Sequence, residues 1–403
     1  MNLIALRSPP FRSYILSLHL ALNGFWAQRV IMGWLAWVLT GSPSFVGLVA
    51  FLNFVPTLIV SPLFGVVADR IDVRVGSMVS YTFAGTLSGI FAWICLTDAL
   101  TPFLLAGFSL LSGVVSSANH PMRMSLTPRL APKEHLASVV ALTSLNFNLS
   151  RLMGPAIGGV LIQAIGAADA LVLTAIAYIP PVIAIFFMRP RARSQSAEPT
   201  ARQGYFFELF GGWRYALSRH LVRTAIIFSG LGALAGRSVL ETLPILANGV
   251  FGKGPAGLGM MTAAAGAGAA VAAILKAVSK AQSAGRFQTS MLAMVMVVPL
   301  LVASLSQISA FPIATGIVVL LGGTLTMLSI SLQSLVQMEI DDHYRGRVMG
   351  LWTTVSIGSG ALGAVIMGAM TDVLGVPLAQ ASIGFTLAAI SAMMIVRFRR
   401  ASE

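Results

Sequence analysis

Four charged residues lie inside long apolar stretches of the chain: Arg29, Arg151, Arg237 and Glu241. An ionisable group within a membrane span costs roughly 2.5–3.5 kcal/mol on insertion scales, so each of the four needs a reason. Arg237 and Glu241 are four residues apart and can form an ion pair on one helix. Because a carboxylate in a cavity of low dielectric constant can exchange protons near neutral pH, we predict that Glu241 couples proton movement, with Arg237 as its partner. The alternative is a structural pair that makes Arg237 tolerable.

Arg29 and Arg237 suggest a binding site for an anion, with the two guanidinium groups facing each other. Arg29 follows Gln28 and lies two helical turns after Asn23 in the first apolar stretch, and Arg151 occupies a later stretch. Guanidinium groups bind carboxylate, catecholate or phosphate groups through paired hydrogen bonds. We therefore regard Asn23, Gln28, Arg29 and Arg151 as candidates for lining a substrate cavity. The alternative for Arg29 is a set of hydrogen bonds to backbone carbonyls of a broken helix.

The elements that must position these residues are apolar helices of membrane-spanning length. The chain is 56% hydrophobic and 10% charged, and its mean hydropathy is +0.85, whereas soluble domains carry about 25% charged residues. The apolar runs are continuous rather than alternating, which predicts an all-α membrane protein and not a β-barrel. We predict twelve spans, over residues 14–38, 44–67, 76–97, 102–121, 136–164, 169–188, 221–247, 256–275, 288–306, 312–337, 346–371 and 378–396.

The net charge of +13 is a topology signal. Almost all of the 26 lysines and arginines fall in the two tails or in connections on one side of the predicted spans. This positive-inside pattern places both termini in the cytoplasm, with the lipid bilayer rather than nucleic acid as the partner. The single cysteine, Cys95, lies in an apolar run, so neither a disulfide framework nor a metal cluster is predicted. We find no P-loop, zinc-binding or nucleophile-triad motif, and therefore predict no cofactor and no enzyme activity.

The longest polar connection divides the chain into halves of six spans. We predict an N-terminal bundle over 1–188, a cytoplasmic linker over 189–220 and a C-terminal bundle over 221–403. The later part of the linker, YFFELFGGWRYALSRH, predicts an interfacial amphipathic helix or an extension of the seventh span. The halves resemble each other, since Arg29 is matched by Arg237, 208 residues later. Six spans per half keep both copies in one orientation, and this pseudo-symmetry predicts a substrate cavity between them.

A charged motif lies between the second and third spans. The stretch GVVADRIDVR contains Gly65, Asp69, Arg70, Asp72 and Arg74. Its spacing resembles the loop signature of the major facilitator superfamily, in which most members have glycine where this chain has Asp72. The aspartate form, the first two spans and the RGRVMGL that opens the eleventh span resemble a branch of bacterial exporters that includes the enterobactin exporter.

The resemblance implies a cytoplasmic latch in this motif. Gly65 would let two helices approach closely, and Asp69 would bind the exposed N–H groups at the start of the eleventh span, near 345–348. Arg70 and Arg74 would bridge to carboxylates or lipid headgroups, with Asp72 completing the motif. The alternative for the two arginines is that they only determine topology.

The resemblance also covers the fifth span. Gly154, Pro155, Gly158 and Gly159 resemble a signature of drug antiporters. Proline bends a helix, and the glycines would permit tight packing against the eighth span.

Together these features predict a secondary transporter of the bacterial inner membrane. It would expel a small amphipathic or anionic compound, a drug-like molecule or a siderophore, in exchange for protons, by alternating access and as a functional monomer. The alternatives are a lysophospholipid or metabolite transporter or importer of the same fold, and a non-transporting membrane scaffold or sensor.

Overall fold

The computed structural model describes residues 4–188, 190–191, 213–278, 287–341 and 344–402, apart from a few side chains within its helices. Nearly all of these residues are helical, as the apolar runs predict. The first half contains α1 (Pro9–Thr40), α2 (Pro43–Arg70), α3 (Val73–Leu96), α4 (Pro102–Leu126), α5 (Leu136–Ile165), α6 (Ala167–Ile176) and α7 (Ile179–Phe187). The second half contains α8 (His220–Gly232), α9 (Ser238–Glu241), α10 (Gly254–Val278), α11 (Thr289–Leu305), α12 (Phe311–Glu339), α13 (Arg345–Leu374) and α14 (Val376–Ser402). The linker predicted over 189–220 lies largely outside the described residues, of which 213–218 are helical.

Eight helices of the described chain are long and apolar enough to cross a bilayer. They are α2, α3, α4, the α6–α7 pair, α10, α12, α13 and α14. α11 is apolar but shorter, and α1, α5 and the region around α8 and α9 coincide with the remaining predicted runs. The all-α membrane fold is therefore confirmed, while the count of twelve spans stays a prediction.

Large apolar side chains cover much of the outer surface. The side chains of Phe103, Val373 and Phe187 are 86%, 82% and 79% exposed, respectively. A protein in water hides most such groups, whereas lipid tails solvate them. The surface of the helices is therefore suited to a bilayer.

Two predicted runs are not single α-helices. The sixth run is divided into α6 and α7 by a turn before Pro180 and Pro181, because proline removes backbone hydrogen bonds. In the seventh run, α8 is followed by a π-helical segment, Ala233–Arg237, then by α9 and a second π-helical segment, Ile245–Val250. π-helical turns are rare and occur frequently at functional sites.

The described chain forms two compact units. The first comprises Met1–Gly41, Leu48–Ser196 and Lys253–Ala263. Its core is built on the packing of α1 along α5 and on a stacked pair of rings from α3 and α4, Phe91 and Phe108, whose centroids are 4.9 Å apart. The boundaries predicted from the linker stay a prediction.

The second unit comprises Ser42–Gly47, Ala197–Gly252 and Ala264–Glu403. In its core, the ring of Phe287 makes edge contacts with Phe228 of α8 and Phe398 of α14, at 5.6 and 4.8 Å between centroids. The first turn of α2 also belongs to this unit, where the Asp372 carboxylate accepts hydrogen bonds from Ser44 N at 3.0 Å and Ser42 Oγ at 3.2 Å. A carboxylate at this position satisfies N–H groups that a helix start leaves unpaired.

Candidate functional site

The charged loop after α2 joins three helices of the first unit. Asp72 is the N-cap of α3, and its Oδ1 accepts hydrogen bonds from the backbone N–H groups of Arg74 at 2.7 Å and Val75 at 3.3 Å. The Arg74 guanidinium donates to two carbonyls near the end of α7, those of Ile185 at 3.1 Å and Phe186. Asp72 and Arg74 therefore complete the ends of two helices, which gives aspartate a physical use at the position of the usual glycine.

The rest of the predicted latch consists of Arg70, Gly65 and Asp69. Arg70, at the end of α2, is exposed. The side-chain positions of Gly65 and Asp69 lie outside the described residues, so the contact predicted between Asp69 and the start of the eleventh span stays a prediction.

The first unit contains a cavity among α1, α2, α3 and α4. It encloses about 350 Å³ of empty space, measured with its open mouth. Two predicted cavity residues, Gln28 and Arg29, line it. The other lining residues are Phe25, Met32, Asn53, Ala84, Leu87, Ser88, Ser112, Val115, Ser116, Asn119 and Tyr178. None of these lining residues is acidic, so Arg29 gives the cavity a positive character.

Hydrogen bonds between helices hold the polar side chains of the cavity. Ser88 Oγ donates to Gln28 Oε1 at 2.7 Å, and Ser80 Oγ donates to Asn119 Oδ1. Asn53 Nδ2 donates to the Ser109 carbonyl at 3.4 Å. These amides are therefore oriented by α3 and α4, and buried polar groups held in this way can recognise a polar ligand without large rearrangement.

Arg29 lies against aromatic rings. Its guanidinium carbon is 3.9 Å from the centroid of Phe54 and 5.2 Å from that of Trp26. The guanidinium carbon of Arg151, on α5, is 5.9 Å from the same Trp26 ring. Stacking on ring faces stabilises a partly desolvated guanidinium.

The two other predicted cavity residues lie beside this cluster and do not line the cavity. Arg151 is exposed, and Asn23 is buried where α1 meets α5. Trp26 Nε1 is buried without a hydrogen-bond partner in the described part of the chain. The structure therefore brings Gln28 and Arg29 together at the cavity and links Arg151 to them through the Trp26 ring.

The glycines of the fifth span mark close approaches of helices. A Cβ atom on Gly154 would lie 2.6 Å from Trp26 Cβ, and one on Gly158 would lie 2.9 Å from the Ala27 carbonyl oxygen. A Cβ atom on Gly159 would clash with Gly259 of α10. The packing expected against the eighth span is thus found for Gly159 alone, because Gly154 and Gly158 face α1. Pro155 lies inside α5, which continues through it to Ile165.

The candidate coupling residues lie in the interrupted helix of the second unit. Arg237 ends the first π-helical segment and Glu241 ends α9, and both are partly buried. The Arg237 side chain packs against Gly360 of α13, where a Cβ atom would collide with Arg237 Cδ. A glycine therefore makes room for the arginine between the two helices. The predicted ion pair between Arg237 and Glu241 stays a prediction.

Comparison with known proteins defines the class of the chain. A family model described as transmembrane secretion effector matches residues 2–403. The chain belongs to this family, which is part of the major facilitator superfamily, and it is a transporter rather than an enzyme.

Named relatives are exporters. The enterobactin exporter EntS of Salmonella paratyphi A is 28% identical, and the match covers 100% of this chain and 97% of that protein. The multidrug efflux pump Tap of Mycobacterium tuberculosis is 24% identical over 92% of this chain and 88% of that one.

Solved structures share the fold. A bacterial homologue of the human lysosomal transporter Spinster has a TM-score of 0.75 at 14% identity, with 98% of each chain covered. The nucleoside transporter NupG has a TM-score of 0.64 at 14% identity, with 96% of this chain and 98% of that one covered. These likenesses confirm the major facilitator fold.

Proposed function

We propose that this protein exports a small amphipathic or anionic compound across the inner membrane of a bacterium, in exchange for protons and by alternating access. The observation that supports this most is the whole-length similarity to an enterobactin exporter. A drug-like molecule or a siderophore fits the proposal. One chain would be sufficient for transport, with both termini in the cytoplasm.

The cavity of the first unit supports an anionic substrate. Arg29 would bind a carboxylate, catecholate or phosphate through charge-assisted hydrogen bonds, and Gln28 and Asn53 would bind neutral polar groups. Phe54 and Trp26 hold the arginine in place, and the buried Trp26 N–H is a further donor. The described lining residues of the cavity include Arg29 and no acid, an arrangement that favours anions over cations.

The second unit supports the coupling proposal. Glu241 would bind and release the coupling proton, and Arg237 would compete with that proton for the carboxylate. The π-helical segments on either side of Glu241 are weaker than an α-helix and would let the surrounding backbone adjust as the carboxylate changes charge. Asp69, with Gly65, would form the latch that closes the cytoplasmic side in one half of the cycle.

The proposal is tested by secretion from a host strain that makes enterobactin but lacks its own exporter. We expect the wild-type chain to raise enterobactin in the medium and lower it in the cells. Arg29→Ala should reduce export about tenfold to a hundredfold, because a hydrogen bond to a charged group contributes about 1.5–3 kcal/mol. Arg29→Lys, which keeps the charge but loses the planar fork, should lie in between.

Arg12→Ala is the matched control, since Arg12 is an exposed basic residue on the same helix. Enterobactin that stays inside the cells when the wild-type chain is present would contradict the proposal. Equal export by wild type and Arg29→Ala would remove Arg29 from the binding site.

A further inference from the structure

A polar cluster between α1 and α5 contains a histidine. His19 Nδ1 lies 2.7 Å from Asn146 Oδ1 and 3.1 Å from Ser150 Oγ. Asn23 Nδ2 donates to the His19 carbonyl at 2.8 Å and to Ser150 Oγ at 3.4 Å. Asn23, Asn146 and Ser150 are buried, whereas His19 is only partly buried. An imidazole held by an amide and a hydroxyl in a membrane span is a functional-site candidate, because an ionisable side chain at such a position needs a reason.

The hydrogen bonds determine which imidazole nitrogen carries the proton. Asn146 Nδ2 donates to the Ile15 carbonyl at 3.2 Å. A carbonyl oxygen can only accept, so the amide group must face Ile15 and its Oδ1 must face His19. Oδ1 can also only accept, so the contact at 2.7 Å requires a hydrogen on Nδ1. The neutral ring therefore carries its lone pair on Nε2.

We propose that Nε2 of His19 is a proton-binding site of the first unit, oriented by Asn146. Proton uptake at Nε2 leaves the bond from Nδ1 to Asn146 intact, so the ring can gain and lose charge without losing its position. Asn23 Oδ1, buried in the same cluster and without a partner in the described chain, is a further acceptor for the cationic form. The role of this site in transport rests on the proposed proton coupling, whereas the site itself does not.

Few groups near His19 could bind the proton in its place. On the elements that pack against α1, the charged and titratable side chains are Arg7, His120, Arg123, Arg129, Arg151 and Asp169, and α3 adds Tyr81, which is bonded to Tyr14. Asp169, the carboxylate among them, is in the first turn of α6, beyond the C-terminal end of α5. His19 pairs with the N-terminal half of α5, so Asp169 lies away from it.

A contact between the corresponding helices of the second unit, α8 and α13, has no titratable group. Ser229 and Ser356, each 210 residues after His19 and Asn146, share a hydrogen bond of 2.8 Å between their hydroxyls. The corresponding pair of helices, α1 with α5 and α8 with α13, thus has a polar contact in both halves. The contact between α1 and α5 contains an imidazole, whereas the one between α8 and α13 is formed by two serines. Ser229→Ala is therefore the matched control for a change at His19.

The direct test is 15N NMR of the histidine side chains in the purified full chain, reconstituted in lipid nanodiscs. The chain has 5 histidines, so a variant that keeps only His19 assigns its signals without removing the residue. We expect a hydrogen on Nδ1 alone in the neutral ring and on both nitrogens once the ring takes up a proton as the pH is lowered. Asn146→Leu should abolish the preference for the Nδ1 tautomer, and Ser229→Ala should leave the spectrum unchanged. A neutral ring with its hydrogen on Nε2, or a ring that takes up no proton as the pH is lowered, would overturn the proposal.

The coupling role is tested separately by enterobactin flux into everted vesicles as a function of external pH. His19→Gln should flatten the pH profile while Ser229→Ala keeps the wild-type profile. A wild-type profile in His19→Gln would refute the coupling role. Wild-type flux that does not depend on the proton gradient would refute the proposed antiport. The NMR result would still decide whether His19 binds a proton.

Discussion

The first span of each half carries an arginine at the matching position, but the two helices around Arg29 and Arg237 differ. α1 is an uninterrupted α-helix of 32 residues, and it holds Arg29 on aromatic rings beside a cavity. The seventh run is broken by two π-helical segments, and Arg237 packs on a glycine of α13. A regular helix positions a binding group with precision, whereas a broken helix can change its local geometry. From this difference we propose that Arg29 of the first half binds the substrate and that Glu241 of the second half carries the coupling proton, beside the proton site proposed at His19.

The packing of the first helix of each half against the fifth is repeated between the halves. Gly154 of α5 faces Trp26 of α1, and Gly363, 209 residues later, faces Leu234, the match of Trp26. Without a hydrophobic driving force in lipid, helices associate through close contacts that small residues allow. The two halves thus share the contact that assembles them and differ in the polar groups placed around it.

The largest expected effect is at Glu241. Glu241→Gln should reduce transport driven by a pH gradient at least about a hundredfold, because an amide cannot carry the coupling proton. Glu134→Gln, in the exposed loop before α5, is the control and should have wild-type activity. The measurement is enterobactin uptake into everted vesicles before and after the gradient is collapsed. An unchanged pH dependence in Glu241→Gln would make Glu241 structural.

An intermediate effect is expected at the shared helix contact. Gly158→Leu would force a side chain against the Ala27 backbone, and Gly363→Leu would do so against the Leu234 carbonyl, 2.5 Å from a Cβ atom. Overpacking costs about 1–3 kcal/mol, so both variants should unfold at lower temperature in detergent. Gly89→Leu should be neutral, since no atom lies within 4 Å of its Cβ position. Destabilisation in only one half would show that the contact is not equivalent.

The smallest effect is expected at Asp72. Asp72→Ala removes the N-cap of α3 and should lower the free energy of unfolding by about 1 kcal/mol. Arg70→Ala, two residues earlier at the end of α2, is the control and should change stability little. The measurement is thermal unfolding of the two variants in the same detergent. Equal loss of stability in Asp72→Ala and Arg70→Ala would argue against an N-cap role for Asp72. The corresponding loop of the second half, KAVSKAQSAGR, has no acid.

Much of the fold could be predicted because hydropathy is a local signal. Each helix of membrane-spanning length overlaps a predicted run, since the bilayer requires about 20 apolar residues whatever the tertiary contacts. The π-helical segments could not be predicted, because an apolar π-helix and an apolar α-helix have the same composition. Asp72 as an N-cap could have been recognised, since an aspartate immediately before an apolar run is a helix-start signal.

The candidate site was predicted in part. Gln28 and Arg29 stand out as polar residues in an apolar helix, which is why both were found. Ser88 and Asn119 were missed, because a single serine or asparagine in a span is unremarkable until a partner on another helix is known. Ser88 is 60 residues from Gln28 in the chain, and only the tertiary structure joins them.

The division of roles between Arg29 and Glu241 is tested most directly in proteoliposomes loaded with enterobactin. Exchange of internal for labelled external substrate requires binding but no proton gradient, whereas net uptake against a concentration gradient requires coupling. We expect Arg29→Ala to lose both activities and Glu241→Gln to lose net uptake while it keeps exchange. Loss of both activities in Glu241→Gln, or loss of neither in Arg29→Ala, would contradict the account.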